Sequence, residues 1–220
     1  MSDELFERVD AYIDRLFVPA DPAQEAGLAR AAKAGMPEIQ ISAGQGKLLM
    51  LLAKMVGARR ILELGTLAGF STIWLARALP EGGKLVTLEY SPEHAMVARE
   101  NIAAAGQGGK VEVIVGAALD TLPKLLARGD APFDFVFIDA DKENYCAYLD
   151  WVLKLTRPGS VILGDNVIRA GAVMDPNATD MAKGAADFNA KLAADPRLEA
   201  IILQQVGIKG HDGLAIARVK

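Results

Sequence analysis

Cysteine is almost absent from this sequence: Cys146 stands alone, so no internal disulfide can form. With only two histidines in the chain, no Cys/His group of the kind that holds zinc can be assembled either. Cys146 falls in a helical pattern, where a packed thiol is the expected state. No apolar run approaches membrane-spanning length, and the N-terminus is acidic and amphipathic rather than signal-like. A cytoplasmic protein is expected. An excess of positive charge is also missing. Against 28 Asp and Glu there are 24 Lys and Arg, for a net charge of −4, which gives no global drive toward nucleic acid or an anionic membrane. Internal repeats, low-complexity segments and linkers are lacking too. What remains is 220 residues, 51% hydrophobic and 24% charged, enough for one domain with a substantial core.

The first 57 residues read as a helical addition. Leu5, Val9, Ile13 and Leu16 with Phe17 form an apolar stripe that ends at Val18-Pro19. A second helix is predicted from about Ala23 to Ala34, before Gly35 and Pro37. A third, Gly46 to Val56, is apolar on most of its surface and is expected to pack on both sides. From residue 58 onward, strand and helix patterns alternate: strands at Ile61–Leu64, Lys84–Glu89, Val111–Val115, Phe133–Ile138 and Ser160–Leu163, with helices between them. An irregular stretch, 169–179, precedes a helix at Met181–Ala193 and two last strands, Leu198–Leu203 and Gly213–Arg218. Five β-α units with an antiparallel ending make a doubly wound α/β sheet.

Such sheets bind ligands where strands end at their carboxyl edge. Phe133-Asp134-Phe135-Val136-Phe137-Ile138 is a buried strand that stops at Asp139-Ala140-Asp141-Lys142. The first strand ends in Glu63-Leu64-Gly65-Thr66-Leu67-Ala68-Gly69-Phe70-Ser71. Gly65 and Gly69 let backbone approach a ligand, and free amides open the next helix. Their Gly-x-x-x-Gly spacing differs from the Gly-x-Gly-x-x-Gly of dinucleotide binders and counts against NAD. Glu89 closes the second strand, where a carboxylate commonly accepts ribose hydroxyls. The set resembles the S-adenosylmethionine site of class I methyltransferases, whose cationic cofactor suits acid-lined loops. Small residues at Gly116-Ala117-Ala118 would let an adenine ring lie against backbone.

Asp139 ends the fourth strand, and Asp165-Asn166 follow the fifth. Adjacent parallel strands would gather two carboxylates and an amide into an all-oxygen site suited to Mg²⁺, Mn²⁺ or Ca²⁺. Lys142, three residues after Asp139, is within reach of a hydroxyl proton.

With these residues the chain resembles the cation-dependent O-methyltransferases, the caffeoyl-CoA and catechol O-methyltransferase family. The likeness spans about residues 40–220. It rests on Glu63-Leu64-Gly65 with Gly69-Phe70-Ser71, on Asp139-Ala140-Asp141-Lys142 with Asn144-Tyr145, and on Asp165-Asn166. Asp195-Pro196-Arg197 and Asp212-Gly213-Leu214 match near the end. The resemblance implies a seven-stranded, mostly parallel Rossmann-like methyltransferase fold, a homodimer, and a vicinal aromatic diol as acceptor. It assigns Glu63, Gly65, Thr66, Ser71, Glu89, Ala118 and Asp141 to the cofactor, S-adenosylmethionine. Asp139, Asp165 and Asn166 go to the divalent cation and Lys142 to catalysis as base. Glu89 stands where many relatives have Asp. After Asp165-Asn166 the plant enzymes carry Trp-Asn, whereas Val167-Ile168 follow here, and residues 206–211 are an insertion before Asp212-Gly213.

Two other readings stay open on the sequence. Relatives that methylate a hydroxylated tRNA wobble uridine would need a basic patch, for which Lys47, Arg59, Arg60 and Arg169 are available. A non-catalytic binding module would keep the fold but has no need of Asp139, Lys142, Asp165 and Asn166.

Overall fold

The structure, a computed structural model, describes residues 3–220. Three helices come first: α1 (Asp3–Phe17), α2 (Pro22–Lys33) and α3 (Ala43–Met55). Asp21 caps α2, accepting the N–H groups of Ala23 and Gln24, with Pro22 in the first turn where its missing N–H costs nothing. Ser42 caps α3 through the N–H of Gln45, so this helix opens three residues before the Gly46 expected from apolar spacing. Nor is α3 covered on both sides. Leu49 and Ala53 are buried, while Leu51 and Met55 face solvent.

The rest alternates strand and helix: β1 (Arg60–Leu64), α4 (Phe70–Ala78), β2 (Lys84–Glu89), α5 (Pro92–Ala104), β3 (Val111–Val115), α6 (Ala118–Arg128), β4 (Phe133–Ile138), α7 (Tyr145–Leu155), β5 (Thr156–Gly164), α8 (Asp180–Ala194), β6 (Leu198–Gly207) and β7 (Gly210–Val219). The seven strands form one sheet in the order β3-β2-β1-β4-β5-β7-β6, with β7 antiparallel to both its neighbours. The expected seven-stranded, mostly parallel sheet is what the chain forms.

Alternation along the central strands sorts the core. Leu62, Leu64, Val136 and Ile138 face α6, α7 and α8, whereas Ile61, Phe135 and Phe137 face α3 and α4. Glu63 shares the second face, which places a carboxylate beneath α4. The residues inserted at 206–211 lengthen the last two strands into one hairpin, paired as far as Gly207 and Gly210. Its tip reaches the first helix, where Asp10 accepts the N–H of Ile208 at 2.7 Å.

Because β1 to β5 run parallel, the residues that follow them collect at one edge, held by continued ladder bonds. Gly65 N–H donates to Leu88 (3.0 Å), Asp139 N–H to Leu64 (2.8 Å), and Asp165 N–H to Ile138 (3.0 Å). The winding reverses between β1 and β4, so the crevice of an open α/β sheet lies there.

Candidate active site

Gly65 sits in that crevice with φ +94°, and any Cβ there would overlap the carbonyl oxygen of Asp139. The neighbouring strand end therefore closes directly onto the turn, and only glycine fits. The loop then turns through Thr66 to Gly69, whose φ of +82° and N–H bond to Thr66 (2.8 Å) start α4. Glu89 holds this loop from the next strand. Its Oε2 accepts the N–H groups of Thr66 (3.2 Å) and Leu67 (2.8 Å), and its Oε1 accepts that of Ser91 (2.9 Å). A carboxylate has about four lone-pair directions; three take these N–H groups, and the fourth, with His94 Nδ1 3.5 Å from Oε1, would be shared with an external hydroxyl.

Glu63 is wholly buried and accepts the hydroxyls of Ser71 (2.7 Å), Thr72 (2.5 Å) and Thr87 (2.7 Å). Burial pushes its carboxyl up to about 7, against the pull of those three hydroxyls. It lines neither cavity described below and reaches the site through Ser71.

Two cavities meet over the loop. One, of about 470 Å³, is lined by Glu89, Tyr90, Ala118, Leu119 and Tyr148. The other, of about 500 Å³, is lined by Thr66, Ser71, Asp139, Lys142, Asn166 and Arg169. Gly65, Glu89, Ala140 and Asp141 belong to both. Asp141 makes no helix-capping bond and instead accepts from the Tyr148 hydroxyl and the Asn144 amide.

On the far side of the shared wall, Asp139 and Asp165 close two adjacent strands in register, Ile138 opposite Gly164. Asp165 is only 2% exposed, and burial together with the nearby Asp139 raises its carboxyl to about 7. Asn166 follows in the left-handed region (φ 53°), its N–H bonded to Asp165 Oδ1 at 2.9 Å. Gln45, from the start of α3, lies near enough to Asp165 to favour its charged form. Its amide nitrogen is nevertheless buried without a hydrogen-bond partner among the described residues. Lys142, in a short 3₁₀ turn, is buried. Its Nζ donates to Asp139 Oδ1 (2.9 Å) and to the Tyr145 hydroxyl (2.7 Å).

The sequence model of the O-methyltransferase family matches residues 24–220. This chain belongs to that family. It is an S-adenosylmethionine-dependent O-methyltransferase of class I. It is 52% identical to a catechol O-methyltransferase of Niastella koreensis over the full length of both chains. It is 51% identical to a catechol O-methyltransferase of Mycobacterium tuberculosis, covering 96% of this chain and 95% of the other. An O-methyltransferase of Bacillus cereus, solved in complex with SAH, superposes with a TM-score of 0.98 at 48% identity, covering both chains completely.

Of the site residues expected in this methyltransferase, Gly65, Thr66, Ser71, Glu89, Asp141, Asp139, Lys142 and Asn166 line the joined cavities, and Ala118 lines the first. Asp165 opens instead into a third cavity of about 430 Å³ toward α1, which Asn166 also lines. Tyr145 and Tyr148 carry structural bonds of the site that were not foreseen. The signal was their spacing: Tyr145 follows Lys142 by three residues, about one helical turn, and Tyr148 follows Asp141 by seven, about two.

The basic patch considered for RNA does not form. Arg59 and Arg60 enter β1 at the amino edge and line a separate cleft of about 530 Å³ there, while Arg169 lies at the carboxyl edge. Lys47 is turned to the carbonyl of Phe17. No helix among the described residues is long and apolar enough to cross a membrane.

Proposed function

We propose that this methyltransferase moves the methyl group of S-adenosylmethionine to one hydroxyl of a vicinal aromatic diol, with a divalent cation beside the diol. The observation that carries the reading is the wall shared by the two cavities, where Asp141 faces both and Asp139 and Lys142 face the second. The first suits the nucleoside: Glu89 has a fourth lone pair to share with a ribose hydroxyl, and Ala118 and Leu119 leave room for a flat ring. The second suits the methionine end and the acceptor.

Asp139, Asp165 and Asn166 fit a hard cation. Two carboxylates this close repel one another, and the neighbouring Asp139 charge raises Asp165, a repulsion that a bound cation would offset. The ion would supply positive charge that favours the deprotonated diol and fixes its orientation. Lys142 is held at the same place by Asp139 and Tyr145, where its amine, in the unprotonated form, would accept the hydroxyl proton. Orientation of donor and acceptor supplies much of the remaining rate.

The test is transfer of labelled methyl to catechol by the purified protein with Mg²⁺, measured again in EDTA and in Asp165→Ala. Activity that survives both would remove the cation from the reading.

A homodimer is part of the same proposal. Tyr12, Leu16 and Phe17 on α1 and Ile208 at the hairpin tip that meets it are exposed apolar groups. Sedimentation of the full chain as a monomer at micromolar concentration would refute it.

A further inference from the structure

Building on the proposed diol methylation, we propose that Arg169 recognises a carboxylate on the acceptor ring, so that the preferred substrates are acidic catechols.

Every other arginine after residue 57 meets a carboxylate or a backbone carbonyl. Arg169 alone has neither a hydrogen bond nor an ion pair for its guanidinium among the described residues, although it is half-buried in the acceptor cavity. The carboxylates that share the cavity are already engaged. Asp139 holds Lys142, Glu89 holds three backbone N–H groups, and Asp141 holds Tyr148 and Asn144. The guanidinium is thus the one cation of this cavity left without an internal anion.

Its position is fixed by the backbone. Asp212 Oδ1 accepts the N–H groups of Ile168 (3.0 Å), Arg169 (2.9 Å) and Gly213 (2.8 Å), which ties the loop after β5 to the last hairpin. Arg169 and Ala170 are both held in the left-handed region, at φ 51° and 53°. Non-glycine residues in that region are strained and persist where the surroundings enforce them, commonly at binding sites. A planar guanidinium matches a carboxylate through two parallel hydrogen bonds, and Ile39 and Met181 in the same cavity offer apolar surface to the ring between diol and acid.

The experiment compares 3,4-dihydroxybenzoate, its methyl ester and dopamine as acceptors for the wild type, Arg169→Gly and Arg169→Lys, with Mg²⁺ and saturating S-adenosylmethionine. Glycine accepts the backbone angle and removes only the side chain; lysine keeps charge without the fork. The wild type is expected to favour the acid over its ester by roughly tenfold in kcat/KM, the scale of one charge-assisted pair. Arg169→Gly should erase that preference through KM while leaving the ester within about twofold, with Arg169→Lys between them. Equal turnover of acid and ester by the wild type, or equal losses on all three acceptors in Arg169→Gly, overturns the role of Arg169 and leaves diol methylation standing. Should Arg169→Gly fail to fold, the acid-to-ester ratio of the wild type against Arg169→Lys decides alone. Transfer to none of the three overturns the methylation reading, and this inference with it.

Discussion

Lys142 Nζ lies 2.7 Å from the hydroxyl of Tyr145, and that hydroxyl sits 3.0 Å from the carbonyl ending β4 and 3.1 Å from the carbonyl of Asp165. Its single proton serves one carbonyl or the other, while its lone pairs accept from the ammonium. The tyrosine is fully buried, packed edge-on against Phe188 of α8 with ring centroids 5.1 Å apart. Lys142 is therefore positioned by a side chain that touches neither cavity.

Tyr145→Phe keeps the ring and removes the hydroxyl. Loss of about 1–2 kcal/mol of stability is expected, because buried carbonyls lose a donor. The kcat for catechol methylation should fall by about ten- to a hundredfold as Lys142 loses its fixed direction, with KM for the cofactor unchanged. An unchanged kcat in steady-state assays would separate Tyr145 from positioning and leave it a packing residue.

Glu63 makes stability depend on pH. Its carboxyl titrates near 7 when folded and near 4.5 as a free side chain. The folded state thus binds the extra proton across that window. Unfolding releases it, and stability falls as pH rises from about 4.5 to 7, then levels off. The contribution is fully present below 4.5 and is lost through the folded value, with an upper bound of about 3 kcal/mol. Glu63→Gln should show a flatter profile between pH 5 and 8 in urea denaturation. Parallel profiles for the two proteins would contradict a protonated Glu63.

Gly65→Ala places a methyl group against the Asp139 carbonyl at φ +94°, so the glycine turn and the fourth strand end must separate. Calorimetry with S-adenosylhomocysteine should show at least a roughly tenfold loss of affinity, the scale of one misplaced binding contact. Wild-type affinity in this variant would mean that the turn does not frame the cofactor.

Gly184 tests the turn from the opposite side. It lies inside α8, where alanine is ordinarily better by about 1 kcal/mol. A Cβ there would overlap the carbonyl of Lys142 and crowd Glu143. Gly184→Ala is therefore expected to destabilise the fold and lower kcat despite its better helix propensity. A raised melting temperature with full activity would show that the Lys142 turn yields freely.

Much of the site was legible in the chain. The buried run 133–138 and the acids that stop it read as a strand delivering carboxylates to the sheet edge, and Gly65 with Gly69 marked the turn. Asp139, Asp165 and Asn166 were placed together by the rule that parallel neighbours end at one edge. Less legible were the residues that hold others. Glu63 looked like a ligand contact because it flanks the glycine turn, but strand alternation sends it under α4 to three hydroxyls. The inserted residues 206–211 gave no sign of being paired strand.

Local patterning and the two periodicities thus settled, from the sequence by itself, which strands end in acids, where the glycine turn falls and the sheet class. These are short-range properties of a chain whose side chains alternate or recur every 3.6 residues. Which acid faces a cavity and which is sealed beneath a helix depended on packing between elements far apart in the chain. So did the bond from Lys142 to Tyr145, the overlap that forbids a Cβ at Gly184, and the solitary guanidinium of Arg169. Contacts of that kind are fixed only when the whole sheet and its two helical layers close, because desolvation and hydrogen-bond partners are set by neighbours in space.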